Sequence, residues 1–410
     1  MLLAAWLGWV FDSMDATLYS LVQRPAMAAL MGPAASEATV GLYSSIVFSM
    51  MLLGWALGGI GFGILADSMG RARALTATIL IYSLFTGLSA AATNWWTLGL
   101  FRFVTGLGLG GEWAAGAALV AEVWPDRLRA RAGAMLQSAA AVGFFLAAVL
   151  NLWVGVYSWR YVFLLGALPA ALVLFIRKHV REPEAWERAR QRRDGDVTLR
   201  QLFSPRLRRD TLVASALAFV VLLGLWGAAA WIPGAIRELS AGDAARLDPA
   251  GGRRLLVERA SYGIMLLNAG SLFGYLSFGP LADRLGRRPA FLCYFLGALV
   301  LFPSTFLLSR DLFGVFVLLP LVGFFTLGVT SGFPIYLPEL FPTRVRTTGV
   351  GFCYNLGRIV TAGGVLLTGY LVGFFGSYAK AASAVSLVYL LGVGILLLAR
   401  ETRGAPLAEE

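Results

Sequence analysis

The chain reads as an all-α membrane protein, with twelve transmembrane helices in two pseudo-symmetric six-helix bundles and both termini cytoplasmic. Three observations carry this reading. First, 58% of the 410 residues are hydrophobic and 14% are charged, against roughly 45–50% and about 25% in an average soluble domain. Second, stretches apolar and long enough to span, about 20 residues each, recur near 3–24, 41–66, 73–93, 96–121, 132–156, 160–177, 211–237, 260–282, 290–308, 312–338, 347–375 and 379–399. Third, Gly63-Ile64-Leu65-Ala66-Asp67-Ser68-Met69-Gly70-Arg71-Ala72 returns 216 positions later as Gly279-Pro280-Leu281-Ala282-Asp283-Arg284-Leu285-Gly286-Arg287-Arg288. A repeat of half the chain length, placed at the end of one apolar stretch and before the next, is a feature of membrane transporters built from two similar halves.

Residues 1–178 form the first expected bundle, 179–210 a cytoplasmic linker and 211–410 the second bundle. Met1 leads almost directly into the first span with no basic leader and no small-residue cleavage site, so that span reads as a retained helix rather than a signal peptide. Of the 34 basic residues, 23 fall in alternate loops on one side, eleven of them between positions 177 and 209, and nine on the other. By the positive-inside rule the richer side is cytoplasmic. The net charge of +11 is thereby topology and not a polyanion site, which excludes nucleic acid as a partner. In the linker, Glu184 to Arg193 is either an amphipathic helix on the anionic inner leaflet or a solvated charged helix.

A second duplicated element fixes the register of the halves: Glu122-Val123-Trp124-Pro125-Asp126-Arg127-Leu128-Arg129 matches Glu339-Leu340-Phe341-Pro342-Thr343-Arg344-Val345-Arg346 at an offset of 217. Both copies sit at cytoplasmic helix ends, where Arg meets carboxylates and helix termini and Pro stops one helix before the next begins. Cys293 and Cys353 lie in apolar spans, which argues against a disulfide. The one histidine, His179, sits at a helix end beside Arg177 and Lys178, which excludes a buried histidine relay. The spans contain no metal-ligand cluster, no G-x-S-x-G elbow and no Ser-His pair, so neither an enzyme nor a cofactor is expected.

The paired G-x-L-A-D-x-x-G-R segments, the run Arg102-Phe103-Val104-Thr105-Gly106-Leu107-Gly108-Leu109-Gly110 and the twelve spans around a central loop resemble the major facilitator superfamily over the whole chain. Within it, Gly111-Glu112-Trp113, Ala121-Glu122-Val123-Trp124-Pro125, Ser158-Trp159-Arg160 and Arg181-Glu182-Pro183-Glu184-Ala185-Trp186 are similar to the proton symporters for sialate, lactate and related organic acids. The resemblance implies a cytoplasmic gate in which Asp67, Arg71, Asp283 and Arg287 tie the halves together and then separate, with Glu122, Arg129, Glu339 and Arg346 in the second duplicated element. The alternative is that these charges only fix topology and tight turns.

Charges that the repeat does not explain mark the chemistry. Asp12, Asp15, Arg102 and Glu112 align with Ala228, Trp231, Leu319 and Val329, while Arg358 aligns with Ala141 or Val142. An ionisable group at mid-span costs about 2.5–3.5 kcal/mol on insertion scales, so it faces a cavity, holds a partner and marks a pathway. Asp12 and Asp15 share a face of the first helix, roughly 13–18 Å from its start at about 1.5 Å per residue. Nearby carboxylates raise each other's proton affinity, which makes the pair candidate proton carriers; the competing reading is a structural ion pair between Asp15 and Arg102. Glu112 is either a second proton site or a fixed, hydrogen-bonded carboxylate.

Arg358, roughly 17 Å into its helix with Asn355 one turn away, is the candidate substrate ligand, because a guanidinium stays charged when buried and its planar fork matches a carboxylate. The alternative is a salt bridge to an aspartate of the first half. Trp113 beside Glu112, and Tyr354 beside Asn355, are placed at the cavity. The expected activity is proton-coupled symport of a small organic anion, a monocarboxylate or sialate-like acid, by a monomer in the bacterial inner membrane. The alternative is a sugar or organic-cation carrier of the same fold, in which Arg358 is structural.

Overall fold

The structure, a computed structural model, describes residues 2–32, 35, 37–150, 153–154, 157–171, 182–191, 199–225, 232–309 and 311–408, and every regular element among them is helical. His179 lies outside the described residues. The chain forms two compact units, one of Met1–Thr211, Leu337–Asn355 and Gly404–Glu410, the other of Leu212–Tyr336 and Leu356–Arg403.

The first unit contains α1 (Leu2–Met31), α2 (Glu37–Met69), α3 (Arg71–Ser89), α4 (Trp95–Val123), α5 (Arg129–Leu150), α6 (Trp159–Leu165) and the linker helix α7 (Glu184–Gln191). Sequence sets each boundary. Gly70, at φ +114°, turns the chain from α2 into α3 within one residue, a backbone conformation that a side chain resists. Asn94 opens α4 with a reciprocal capping box to Thr97, and Pro125 follows its end. Gly54 and Gly58 of α2 sit on the backbone of Phe103 and Leu107, while Gly106 and Gly110 of α4 sit on that of Met51 and Trp55, so a Cβ at any of the four would strike main chain. Such small residues let two membrane helices approach at backbone distance.

After α8 (Arg208–Leu223), the second unit contains α9 (Ile232–Ala244), α10 (Pro249–Leu285), α11 (Arg287–Pro303) and α12 (Leu312–Thr326). Beyond α13 (Gly332–Leu340) and α14 (Arg346–Phe375) come α15 (Tyr378–Ser386) and α16 (Val388–Leu398). The duplication persists at the level of packing. Gly286 turns α10 into α11 at φ +107°, Gly270 and Gly274 sit on the backbone of Pro320 and Phe324, and Gly323 sits on that of Leu267. It persists in hydrogen bonds too: Arg71 and Arg287 each donate to the carbonyl five residues back, Ala66 and Ala282. Likewise Arg129 and Arg346 each donate to the carbonyl eight residues back, Ala121 and Pro338.

The N-termini of α3 and α11 are capped in the same way. Glu182 accepts from the N–H groups of Ala72 and Arg73, and Glu401 from those of Arg287 and Arg288. A carboxylate there satisfies orphan donors and the positive end of the helix dipole. Burial acts to raise the proton affinity of Glu401, but its four N–H donors, from Arg287, Arg288, Arg403 and Thr402, together outweigh it and hold the carboxyl below its ordinary pKa. A depressed carboxyl contributes stability that is present above the unfolded value and lost as pH falls through the folded one. Glu401→Gln is therefore expected to lower the melting temperature at neutral pH, with the difference from wild type closing below about pH 4. A deficit independent of pH would refute the charge as its cause.

Among the described residues, eight helical segments are long and apolar enough to cross a membrane: Ile46–Met69, Arg71–Ser89, Trp95–Val123, Asp126–Ala147, Glu258–Leu285, Arg287–Leu308, Leu312–Leu340 and Ala379–Leu398. Of the other four expected spans, those near 3–24 and 347–375 lie within α1 and α14, and those near 160–177 and 211–237 include residues outside the described set. By compactness, Leu337–Asn355 and the C-terminal tail group with the first unit. The reason is polar, and lies in the bonds that Asp67, Arg71 and Glu122 make to that segment.

Candidate functional site

Two buried polar clusters occupy the first unit. The first lies where α2 turns into α3. Asp67 forms an ion pair with Arg71 at 3.0 Å and accepts three hydrogen bonds from the start of α14: the N–H of Thr347 at 3.1 Å, and the N–H and hydroxyl of Thr348, each at 2.7 Å. Arg71 donates to both oxygens of Glu122, at 2.9 and 3.1 Å, and to the carbonyl of Thr343 at 2.7 Å. Glu122 also takes Arg346 at 2.7 Å, so one carboxylate serves two guanidinium groups that are both 0% exposed. Arg346 further donates to the carbonyls of Pro338 and Phe341, and to that of Ala408 in the C-terminal tail.

Beside this cluster Arg129 bonds Asp126 and the carbonyl of Ala121, and approaches Glu339 at 3.8 Å. Six of the eight residues that the duplicated motifs single out, Asp67, Arg71, Glu122, Arg129, Glu339 and Arg346, are thus gathered in one unit. Asp283 and Arg287 instead pair with each other at 3.4 Å in the second. The partners Thr343, Thr347 and Thr348 are not legible beforehand, because all three act on this cluster through backbone groups and only Thr348 adds its side chain.

The second cluster lies among α1, α3 and α4. Arg102, fully buried, spreads its donors over Asp15 at 3.1 Å, Ser89 at 3.1 Å, Thr86 at 2.8 Å and Thr105 at 3.0 Å. Thr86 in turn donates to Asp15 at 2.7 Å. The guanidinium also faces the rings of Phe163, at 4.8 Å, and Tyr19, at 5.7 Å, a cation–π environment. Arg102 shares a helical stripe with Gly106 and Gly110, but those glycines meet α2 while its long side chain reaches α1 and α3. The structural pairing of Asp15 with Arg102 is the arrangement observed.

Glu112 differs. Glu112 is 2% exposed, and its carboxylate lies against Gly8 of α1 with no ion-pair partner among the described residues. Tyr82 of α3, also buried, stands within electrostatic range of Glu112, Asp12 and Asp15. Asp12 is fully buried. The sequence reading passes over Tyr82, Thr86 and Ser89. Their signal is the spacing Thr78, Tyr82, Thr86 and Ser89, a polar stripe on an otherwise apolar helix.

The rings placed at the cavity do meet: Trp113 stacks on Tyr354 with centroids 4.2 Å apart and planes at 24°, and Trp9 stands 6.3 Å from Trp113. Trp113 donates its indole N–H to Gln137 of α5 at 3.3 Å. Asn355, paired with Arg358 in the sequence reading, turns its amide back to the carbonyl of Gly351 at 2.9 Å and lies over Gly59 of α2. Gly59 has no side chain, which leaves the amide room against that helix. Arg358 lies four residues beyond Tyr354 on α14 and is partly buried.

Apolar helices repeated at half the chain length around buried ion pairs define a membrane transporter made of two similar halves. The family profile described as Major Facilitator Superfamily matches residues 5–245, and the one described as Sugar (and other) transporter matches residues 259–409. The chain belongs to the Major Facilitator Superfamily. It is a transporter rather than an enzyme and an integral protein of the inner membrane.

It is 34% identical over 408 residues to a probable 4-methylmuconolactone transporter of Cupriavidus pinatubonensis, covering 98% of this chain and 90% of that one. It is 30% identical to the sialic acid transporter NanX of Escherichia coli, covering 92% and 87%. The solved structure of the proton:xylose symporter XylE shares the fold at a TM-score of 0.81 with 16% identity, covering 100% of this chain and 97% of that one.

Proposed function

We propose that this protein is a proton-coupled symporter of a small organic anion that works by alternating access, with both termini cytoplasmic and the two sequence halves, 1–178 and 211–410, as its moving parts. The observation that carries the coupling is the contrast between two buried carboxylates. Asp15 is held by Arg102 and Thr86, whereas Glu112 has no ion-pair partner among the described residues and lies against Gly8 with Tyr82 in electrostatic range. A buried carboxylate without a fixed counter-charge can exchange its proton without breaking an ion pair, so Glu112 is the proton carrier. The Asp15–Arg102 pair keeps a fixed charge balance beside it.

Arg358 supplies the charge for the substrate carboxylate, one turn along α14 from Tyr354. That a relative of each kind, one named for a lactone and one for sialic acid, handles an acid or its close derivative supports an organic anion over a sugar. The Asp67–Arg71–Glu122–Arg346 cluster is the cytoplasmic gate in its closed arrangement, and protonation with substrate bound shifts the balance toward its opening through differential affinity for the two states.

Glu112→Gln and Arg358→Ala test the two roles separately in proteoliposomes. Glu112→Gln should abolish accumulation driven by a pH gradient while retaining substrate exchange; accumulation at the wild-type level would move the proton elsewhere. Arg358→Ala should abolish both uptake and exchange in a protein that still folds, and unchanged transport would remove it from the site. Competition by simple carboxylates but not by sugars or quaternary amines is expected in wild type.

A further inference from the structure

The second duplicated element departs from the first at one telling place. Asp126 of the first copy stands where Thr343 stands in the second, and Arg129 where Arg346 does. In the first copy the acid pairs with its own arginine, since Arg129 bonds Asp126. Thr343 has no charge to offer Arg346, and an oxygen from the C-terminal tail takes that place instead. The carbonyl of Ala408 accepts from the Arg346 guanidinium at 2.8 Å, from the Thr343 N–H at 3.0 Å and from the Thr343 hydroxyl at 3.3 Å.

The same two residues lead from the tail into the buried cluster, and all of them lie in the first unit. Thr343, 1% exposed, gives its own carbonyl to Arg71, and Arg346, 0% exposed, binds Glu122. The tail itself is hardly buried: Gly404 and Pro406 are exposed, and Ala405, Leu407 and Ala408 half-buried. Its attachment is polar, so it lifts away with little loss of apolar contact, while its departure strips two buried donor residues of their acceptor. Gly404, at φ +72°, makes the turn into this stretch, with open space where a Cβ would stand.

We infer that residues 404–408 are a releasable strap, which holds the Asp67–Arg71–Glu122–Arg346 cluster in its observed arrangement by lending Arg346 and Thr343 the acceptor that the repeat lacks at position 343. It rests on the reading above of that cluster as the cytoplasmic gate. The strap leaves as the gate opens and docks again as it closes. A chain without it opens more readily.

The test uses purified protein in lipid nanodiscs without substrate, spin-labelled at Ser68→Cys and Arg284→Cys after replacement of the two native cysteines, with label separations read by pulsed electron resonance. Deleting residues 404–410 should raise the ratio of long to short separations at least about tenfold, the scale of one charge-assisted hydrogen bond. Gly404→Val, which strains only the backbone of the turn, should reproduce the deletion, whereas Gly404→Asn, which tolerates a left-handed φ, should match wild type. Thr343→Asp, which gives Arg346 the partner found in the first copy, should return the shortened chain to the wild-type ratio. Asp67→Asn with the tail intact tests the gate itself and should also raise the ratio.

A rise with Asp67→Asn but none with the deletion overturns the strap while the gate reading stands. No change with either overturns both. A rise on deletion that Thr343→Asp leaves untouched overturns the tail's role as the missing acceptor.

Discussion

Glu122→Ala is expected to destabilise the protein by about 3–5 kcal/mol, the range for removing one partner from a buried ion pair. Glu122 is the shared counter-charge of Arg71 and Arg346, both at 0% exposure, and its loss leaves the two guanidinium groups with Asp67 as the remaining ion-pair partner of Arg71. Carbonyls of Ala66, Thr343, Pro338, Phe341 and Ala408 satisfy some donors but supply no charge. Glu122→Gln keeps the shape and one acceptor, so its loss should be smaller than that of Ala. Thermal unfolding in detergent, followed for both variants beside wild type, measures the order. A melting temperature for Glu122→Ala equal to that of wild type would show that the two arginines find their stability elsewhere.

Arg102→Met is the second large effect, with a loss of about 3–5 kcal/mol from stranding Asp15 in the interior. Ser89, Thr86 and Thr105 lose a donor at the same time. Asp15→Leu alone should cost a similar amount, because Arg102 cannot discard its proton. The double variant Asp15→Leu/Arg102→Met should recover much of the loss, since a buried pair replaced by apolar groups of similar size is often neutral or better. A double-mutant cycle reads the coupling directly. Additive losses would mean that the pair is not the unit of stability, and a stable double variant without coupled transport would separate the two functions of the cluster.

The fold was legible because its causes repeat. Apolar runs mark helices, and Gly70 and Gly286 mark the same sharp turn twice, as do the motifs around Glu122 and Glu339. Departures from the repeat likewise located Asp15, Arg102 and Glu112, since a scaffold role should be present in both halves. What sequence left dark is of two kinds. Backbone partners such as the N–H groups of Thr347 and Thr348, or the carbonyl of Ala408, carry no residue signature. Common residues such as Thr86 and Ser89 acquire meaning only when a guanidinium arrives beside them. The same limit applies to Asn355, whose residue type does not reveal that the bare backbone of Gly59 seats its amide on α2.

The connection between the halves holds one more consequence. Glu182 caps α3, and Trp186 donates its indole N–H to the carbonyl of Asp67 at 3.0 Å, so the front of the linker is pinned to the Asp67–Arg71 cluster. At the far end Phe203 meets Phe352 of α14 edge-on at 5.6 Å, and the carbonyl of Leu202 accepts from Thr211. Both attachments belong to one unit, so the linker is anchored to that unit at each end. Doubling a loop costs only about 0.6 kcal/mol in closure entropy, so chain added between the two anchors would leave both contacts in place.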